Sequence, residues 1–213
     1  VRRPSTPGCW ARTTSTSRGR HGVVEADRLL GAGRVRAGDA VIAMASSGLH
    51  ANGYSLVRHV LFDRAGMRPE QHVAELGRTL GEELLEPTRI YAPDCLALTR
   101  ATEVHAFSHI TGGGLAANLA RVVPDGLHAR VDRSTWTPAA VFDLVGRVGR
   151  VERAELERTL NMGVGMIAVV PAGSAGAALA ALAGRGVGAW VAGEITERGD
   201  ETTAAALTGT HPV

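Results

Sequence analysis

The sequence predicts an α+β domain, and three features of its patterning point there. Short apolar runs rich in branched residues alternate with stretches whose apolar positions recur at helical spacing. At Ser46-Ser47-Gly48 and again at Gly112-Gly113-Gly114, small residues separate an apolar run from a helical stretch. Towards the C-terminus, residues 166–170, 174–183 and 187–191 read as a strand–helix–strand unit. With 213 residues, 45% of them apolar, the chain is long enough to bury one good core.

Taken in order, Val23-Val24 reads as strand and Gly31-Ala32-Gly33 as a turn. A buried strand over 40–45 leads into a helix over 54–64. A loop around Met67-Arg68-Pro69 precedes a helical stretch over 74–85, which Pro87 ends. Pro93 and Asp94 suit the first turn of a helix continuing over 95–102. A strand over 104–110 feeds the triple glycine and a helix over 115–122. Residues 127–131 alternate as a strand does, Pro138 opens a helix through Val145, and 152–159 form a charged helix. Residues 201–213 are small and polar and read as a loose tail. Glu194, after Gly193, reads as a solvated turn residue.

The two small-residue junctions carry the chemistry. A strand that breaks and restarts as a helix leaves backbone N–H groups facing outward, which favours a phosphate or carboxylate. Three glycines in a row remove every Cβ, so a ligand's oxygens can approach the main chain. The alternative is an ordinary strand–turn–helix connection without a ligand. His109 immediately precedes the glycine turn, where it can donate to a phosphate or move a proton near neutral pH; a packed, hydrogen-bonded histidine is the plainer reading. His105 and His109 lie four apart, but in a strand that is about 13 Å, too far for one metal ion, and no metal ligand is assigned. The run Asn161-Met162-Gly163-Val164-Gly165 reads first as a tight turn into a buried strand, with a ligand role the lesser option.

These segments carry a resemblance. Residues 45–59 are similar to the A-S-S-G-L-H-S-N-G-Y-S-L-V-R segment of the phosphoribosylformylglycinamidine cyclo-ligase family, also called aminoimidazole ribonucleotide synthetase. Residues 109–115 resemble its H-I-T-G-G-G-L segment, and the similarity continues through Glu86–Tyr91, Leu160–Met166 and Gly193–Ile195. Ala51 stands where the family usually has Ser, and Leu160 where it often has Phe. The resemblance implies the family's C-terminal domain, a mixed β-sheet with helices packed on it, over residues 39–200, with 22–38 as a remnant of the N-terminal domain and linker. It implies ATP-dependent ring closure of formylglycinamidine ribonucleotide to aminoimidazole ribonucleotide in purine biosynthesis. By the same resemblance Ser46, Ser47, Gly48, His50, Asn52 and Gly53 build one wall of the substrate cleft. Thr111, Gly112, Gly113 and Gly114 supply donors to phosphate oxygens, and His109 is the catalytic candidate. ATP and Mg2+ are expected mainly on an N-terminal half for which the chain shows no counterpart, so the chain alone is expected to be inactive. The intact enzyme is expected to be a homodimer.

Composition bounds the remainder. All basic residues are Arg, so no lysine can reach a nucleotide phosphate and Schiff-base chemistry is excluded. Residues 1–21 hold five arginines and no acid; setting them aside takes the net charge from +2 to −3. Read one nucleotide out of frame, residues 2–19 back-translate to a string resembling the family's G-G-E-T-A-E-x-P-G segment and its acidic continuation, so a frameshifted or disordered basic tail is expected there. The body shows no basic stripe interleaved with aromatics, which argues against nucleic acid. No apolar run is long enough to span a bilayer. Cys9 and Cys95 are lone thiols that suit a reducing, cytoplasmic setting. The rivals are a related synthetase (formylglycinamidine ribonucleotide synthetase or selenophosphate synthetase), a binding fragment that docks on a separate N-terminal half, and an inactive product.

Overall fold

The computed structural model describes residues 25–212. The basic tail, Cys9 and the Val23-Val24 strand lie outside the described residues. In chain order the elements are β1 (Ala40–Ala45), α1 (Tyr54–Arg58) continuing as a π-helical segment His59–Arg64, β2 (His72–Val73), β3 (Arg78–Thr79), α2 (Leu80–Leu84) and α3 (Ala92–Ala101). Next come β4 (Ala106–His109), α4 (Gly114–Leu119), β5 (Leu127–Asp132), α5 (Ala140–Gly149) and α6 (Arg153–Thr159). The chain ends with β6 (Val164–Val170), α7 (Ala175–Ala183), β7 (Ala189–Glu197) and β8 (Ala205–Thr208).

A six-stranded sheet in the order β4-β6-β1-β7-β5-β8 forms the centre. Its pairs are antiparallel except β5 with β8, which makes the sheet mixed as expected. Alternation along β1 explains why both faces are covered. Val41 and Ala43 enter a core shared with Leu115 and Leu119 of α4, while Ile42 and Met44 enter one shared with Leu98 of α3 and Leu182 of α7. A third cluster packs Val57, Val60 and Leu61 against Phe142 and Val145 of α5, and takes in Leu49, Leu160 and Met162 from loops at the sheet's end.

The long helix expected over 74–85 is not formed. Gly77 takes φ 66 and ends a single 3-10 turn, and Arg78–Thr79 then pairs with His72–Val73 as a two-stranded ribbon. Thr79 starts α2 with a capping box, its hydroxyl accepting from the Glu82 N–H while the Glu82 carboxylate accepts from the Thr79 N–H. Glu194 is not in a turn: it lies within β7, across from Arg130 and ion-paired to it. Nor is 201–213 wholly loose, because Ala205–Thr208 adds β8 to the sheet edge and Ala205 is buried. The run of small residues in Ala204–Leu207 suits close packing at that edge.

Candidate functional site

The strand order brings the two small-residue junctions together. β1 and β4 flank β6 and both run antiparallel to it, so they run parallel to each other and end at the same edge, where β6 begins. The loop 46–53 leaves β1 there, the turn 110–113 leaves β4 there, and the turn 161–163 enters β6 there. Backbone bonds seal the junction, with the Ser46 N–H donating to the Gly163 carbonyl at 2.9 Å and the Ile110 N–H to Gly165 at 3.0 Å.

Two buried asparagines hold the loops in shape. The Asn161 amide donates to the carbonyls of Gly48 at 2.9 Å and Leu49 at 3.2 Å; its oxygen accepts from the Gly163 N–H at 2.8 Å and the Ser46 hydroxyl at 3.2 Å. Asn118 of α4 does the same for the glycine turn. Its amide donates to Gly114 at 2.7 Å and Thr111 at 3.2 Å, and its oxygen accepts from the Thr111 hydroxyl. Fully satisfied buried amides rigidify what they tie together. Sequence reading took residue 161 for a turn residue and did not single out Asn118.

His50 sits in the left-handed region at φ 57, and Met162 across the junction at φ 49. Each costs on the order of 1 kcal/mol, and such residues collect at functional sites. The His50 Nε2 accepts the Ser47 N–H at 3.1 Å, which places its proton on Nδ1, and that nitrogen is buried with no partner. Burial first, and then the neighbouring His109, lower its pKa, so the ring is neutral near pH 7. His109 is exposed at the end of β4. Beside both lies buried Tyr91, absent from the sequence-predicted site. Its ring centroid is 6.1 Å from His50 and 6.4 Å from His109, and its hydroxyl donates to the Ala45 carbonyl at 2.7 Å.

The other sequence-predicted residues divide between contacts already made and groups left over. The Ser46 hydroxyl donates within its own loop and the Ser47 hydroxyl to Pro87 at 2.6 Å. Gly53, at φ 76, is pressed onto Leu160. Gly48 is buried beside Glu83 and Glu86, whose carboxylates are both held by Arg78. Asn52 approaches Gly112, which closes the gap between the two junctions. Gly112 and Gly113 are exposed, whereas Gly114 is buried against the Glu157 backbone and its N–H donates to Thr111. Thus the first two glycines are open to a ligand and the third serves the contact between α4 and α6. Behind the turn, a cavity of about 430 Å³ is lined by Gly113, Arg133, Glu157 and Arg158, but Arg133 forks onto Glu157 and neutralises it. A larger concavity of about 670 Å³ lies away from the junction, over β5 and β7, where Arg130 and Glu194 are paired with each other. His105 is remote from the site, hydrogen-bonded to Asp39 at 2.6 Å.

Residues 36–205 match the family model described as AIR synthase related protein, C-terminal domain. The chain belongs to this family. It is 74% identical over 182 residues, 84% of its length, to a Streptomyces fradiae protein whose designation as a phosphoribosylformylglycinamidine cyclo-ligase is provisional, and it covers all of that protein. It is 53% identical to the phosphoribosylformylglycinamidine cyclo-ligase of Sorangium cellulosum, over 84% of this chain and 52% of that one. The chain thus spans about half the length of that full-length relative. The fold of this family's domain recurs in thiamine-monophosphate kinase from Stenotrophomonas maltophilia, with a TM-score of 0.58 at 17% identity over 85% of this chain and 53% of that one. It recurs also in the hydrogenase maturation protein HypE solved in complex with ATP, with a TM-score of 0.52 at 20% identity over 86% and 51%. No helix among the described residues is long and apolar enough to cross a membrane.

Proposed function

We propose that the chain supplies the C-terminal wall of a phosphoribosylformylglycinamidine cyclo-ligase cleft, for the ATP-dependent closure of formylglycinamidine ribonucleotide to aminoimidazole ribonucleotide. The observation that carries the reading is the convergence of the 46–53 loop, the 110–113 turn and both histidines at one sheet edge. In a chain of this family, that edge combines open main chain at Gly112 and Gly113 with neutral donors and an exposed imidazole. Such a surface suits a ribose phosphate, whose oxygens need N–H donors and close approach to the backbone. Asn52 and Gly112 bring the two walls within reach of one small molecule. His109, exposed at the end of β4, is in this reading the group that moves a proton during ring closure. His50 is not the base in this reading, since its Nε2 accepts the Ser47 N–H and its Nδ1 is buried.

The residues present do not fit Mg2+ or the nucleotide phosphates by themselves. No group of three or more His, Cys, Asp or Glu side chains that could hold a metal occurs among the described residues, and the sequence contains no lysine. The junction's nearest carboxylates, Glu83 and Glu86, are committed to Arg78. ATP and Mg2+ are therefore assigned to an N-terminal half and to a dimer completed by it.

The deciding experiment measures formylglycinamidine ribonucleotide turnover with ATP and Mg2+, for the purified chain alone and with the N-terminal half of the Sorangium cellulosum relative supplied. Turnover only in the mixture, abolished by His109→Ala, is the expected result. Failure of the mixture to turn over, with no calorimetric binding of the substrate to either preparation, overturns the reading. Substrate binding without turnover would favour a binding module.

A further inference from the structure

Tyr91 holds a place that neither the local pattern nor the proposed chemistry accounts for. It is 4% exposed, yet it lies between Ile90, the last loop residue, and Ala92, the first of α3, both of which face solvent. Its hydroxyl reaches the last residue of β1, donating to the Ala45 carbonyl, just before the chain leaves the sheet for the serine loop. Directly beneath is Gly165 of β6. A Cβ at that position would collide with the Tyr91 hydroxyl and come within 2.6 Å of the His50 Cε1. Glycine inside a buried strand marks a close approach by another group, and here two groups share the space. The phenol and the imidazole are seated in one cradle, with the ring planes tilted by 59°. The Tyr91 ring also stands 6.4 Å from His109.

We propose that Tyr91 is a positioning residue, a wedge that fixes the spacing of His50 and His109 and locks His50 as its Nδ1–H tautomer. Three contacts define the lock. The Ser47 N–H points at Nε2, Gly165 leaves room for the ring edge, and buried Tyr91 shares that space with it. Release of the phenol from Ala45 lets water reach the imidazole, relaxes the choice of tautomer and uncouples the two histidines. The charged or titratable groups around Tyr91 are Arg89, 6.0 Å from the ring centroid, with Asp94 and Cys95 on α3. Asp94 is tied to both Arg89 and Arg185 and stays in place when the phenol is removed. The phenol itself is held protonated by burial, so it acts by shape and hydrogen bonding, not by titrating.

This inference takes its importance from the reading of the junction as a substrate cleft, but its test reads the imidazoles directly and needs no turnover. The full chain, labelled with 15N and 13C at histidine, is titrated by NMR as wild type, as Tyr91→Leu and as Tyr91→Phe. In the wild type, His50 is expected to show the Nδ1–H pattern of nitrogen shifts and a midpoint below 6.5. Tyr91→Leu is expected to mix the tautomers and raise the midpoint toward 6.5. Tyr91→Phe keeps the ring and removes only the anchor to Ala45, so it shifts the midpoint in the same direction by less, and it decides the matter should the leucine variant not fold. An unchanged His50 titration in a folded variant overturns the proposal, as does an Nε2–H pattern in the wild type. Absence of turnover in the mixture with the N-terminal half, with these signatures intact, would count against the proposed function and leave the wedge standing.

Discussion

A single carboxamide, that of Asn161, meets four partners contributed by Ser46, Gly48, Leu49 and Gly163. Its replacement by Ala strands buried carbonyls and an N–H together, and the expected loss is about 3 kcal/mol in urea denaturation, at the upper end for an unsatisfied buried group. The histidines give a pH signature. His50 and His211 both have pKa values held below the ordinary 6.5 by burial, so the unfolded chain takes up protons that the folded chain refuses. Stability is then fully present above 6.5 and falls as pH drops through the window beneath it. Thermal melts between about pH 7 and 5 should show the fall, and His50→Gln should flatten part of it. Little at this scale was legible beforehand. Gly165 read only as part of a turn motif, and nothing in the sequence says that Tyr91 and His50 press on it. Tyr91 was visible only as part of a longer motif. Asn161 opens the turn into β6 as its sequence suggests, but its bonds to Gly48 and Leu49 lie in a loop distant in sequence and were not legible.

Elements fared better where the local signals agree. Pro93 within the first turn of α3, the alternation in β5 and the apolar run of β1 each predicted what is seen. The failure at 74–85 has a local cause, since apolar spacing continued past Gly77 while the backbone did not. The helix after the serine loop widens into a π-helical segment at His59, where the Ala65 N–H donates to Val60 at 3.1 Å. Such a widening carries no reliable periodicity in the sequence. It seats Val60 against α5, where a Cβ on Gly149 would come within 2.7 Å of Val60 Cγ2 and 2.8 Å of Val151 Cγ2. Gly149→Ala should therefore destabilise by roughly 1–3 kcal/mol. Gly176→Ala, in α7 with open space around it, should instead stabilise by about 0.5 kcal/mol. Chemical denaturation of the two variants side by side tests whether space or propensity decides.

For the whole molecule, the two junction motifs were legible as strand–turn–helix connections, while the strand order that joins them was not readable. No local rule states that β6, late in the chain, inserts between β1 and β4. The C-terminal segment shows the same limit. Its small residues looked unstructured, yet Ala205–Thr208 completes the sheet, Leu207 and Gly209 accept from Arg133, and His211 packs edge-on against Trp136 at 4.6 Å. Removal of residues 201–213 should expose the β5 edge and the core behind Ala205. The expected outcome is a lower melting temperature with increased light scattering; an unchanged melt would mean the edge strand contributes nothing.

Asn161 and Gly48 lie 113 positions apart in the chain, and the bond between them spans most of the domain's folding problem. Contacts that close so long a loop form only once the intervening elements have docked. The amides of Ser46 and Gly163 are therefore expected to exchange their hydrogens through global opening, with protection equal to that of the central strands. A nascent or nicked domain would have normal helices and no cleft, and slow exchange at those two amides would report when the cleft has come into being.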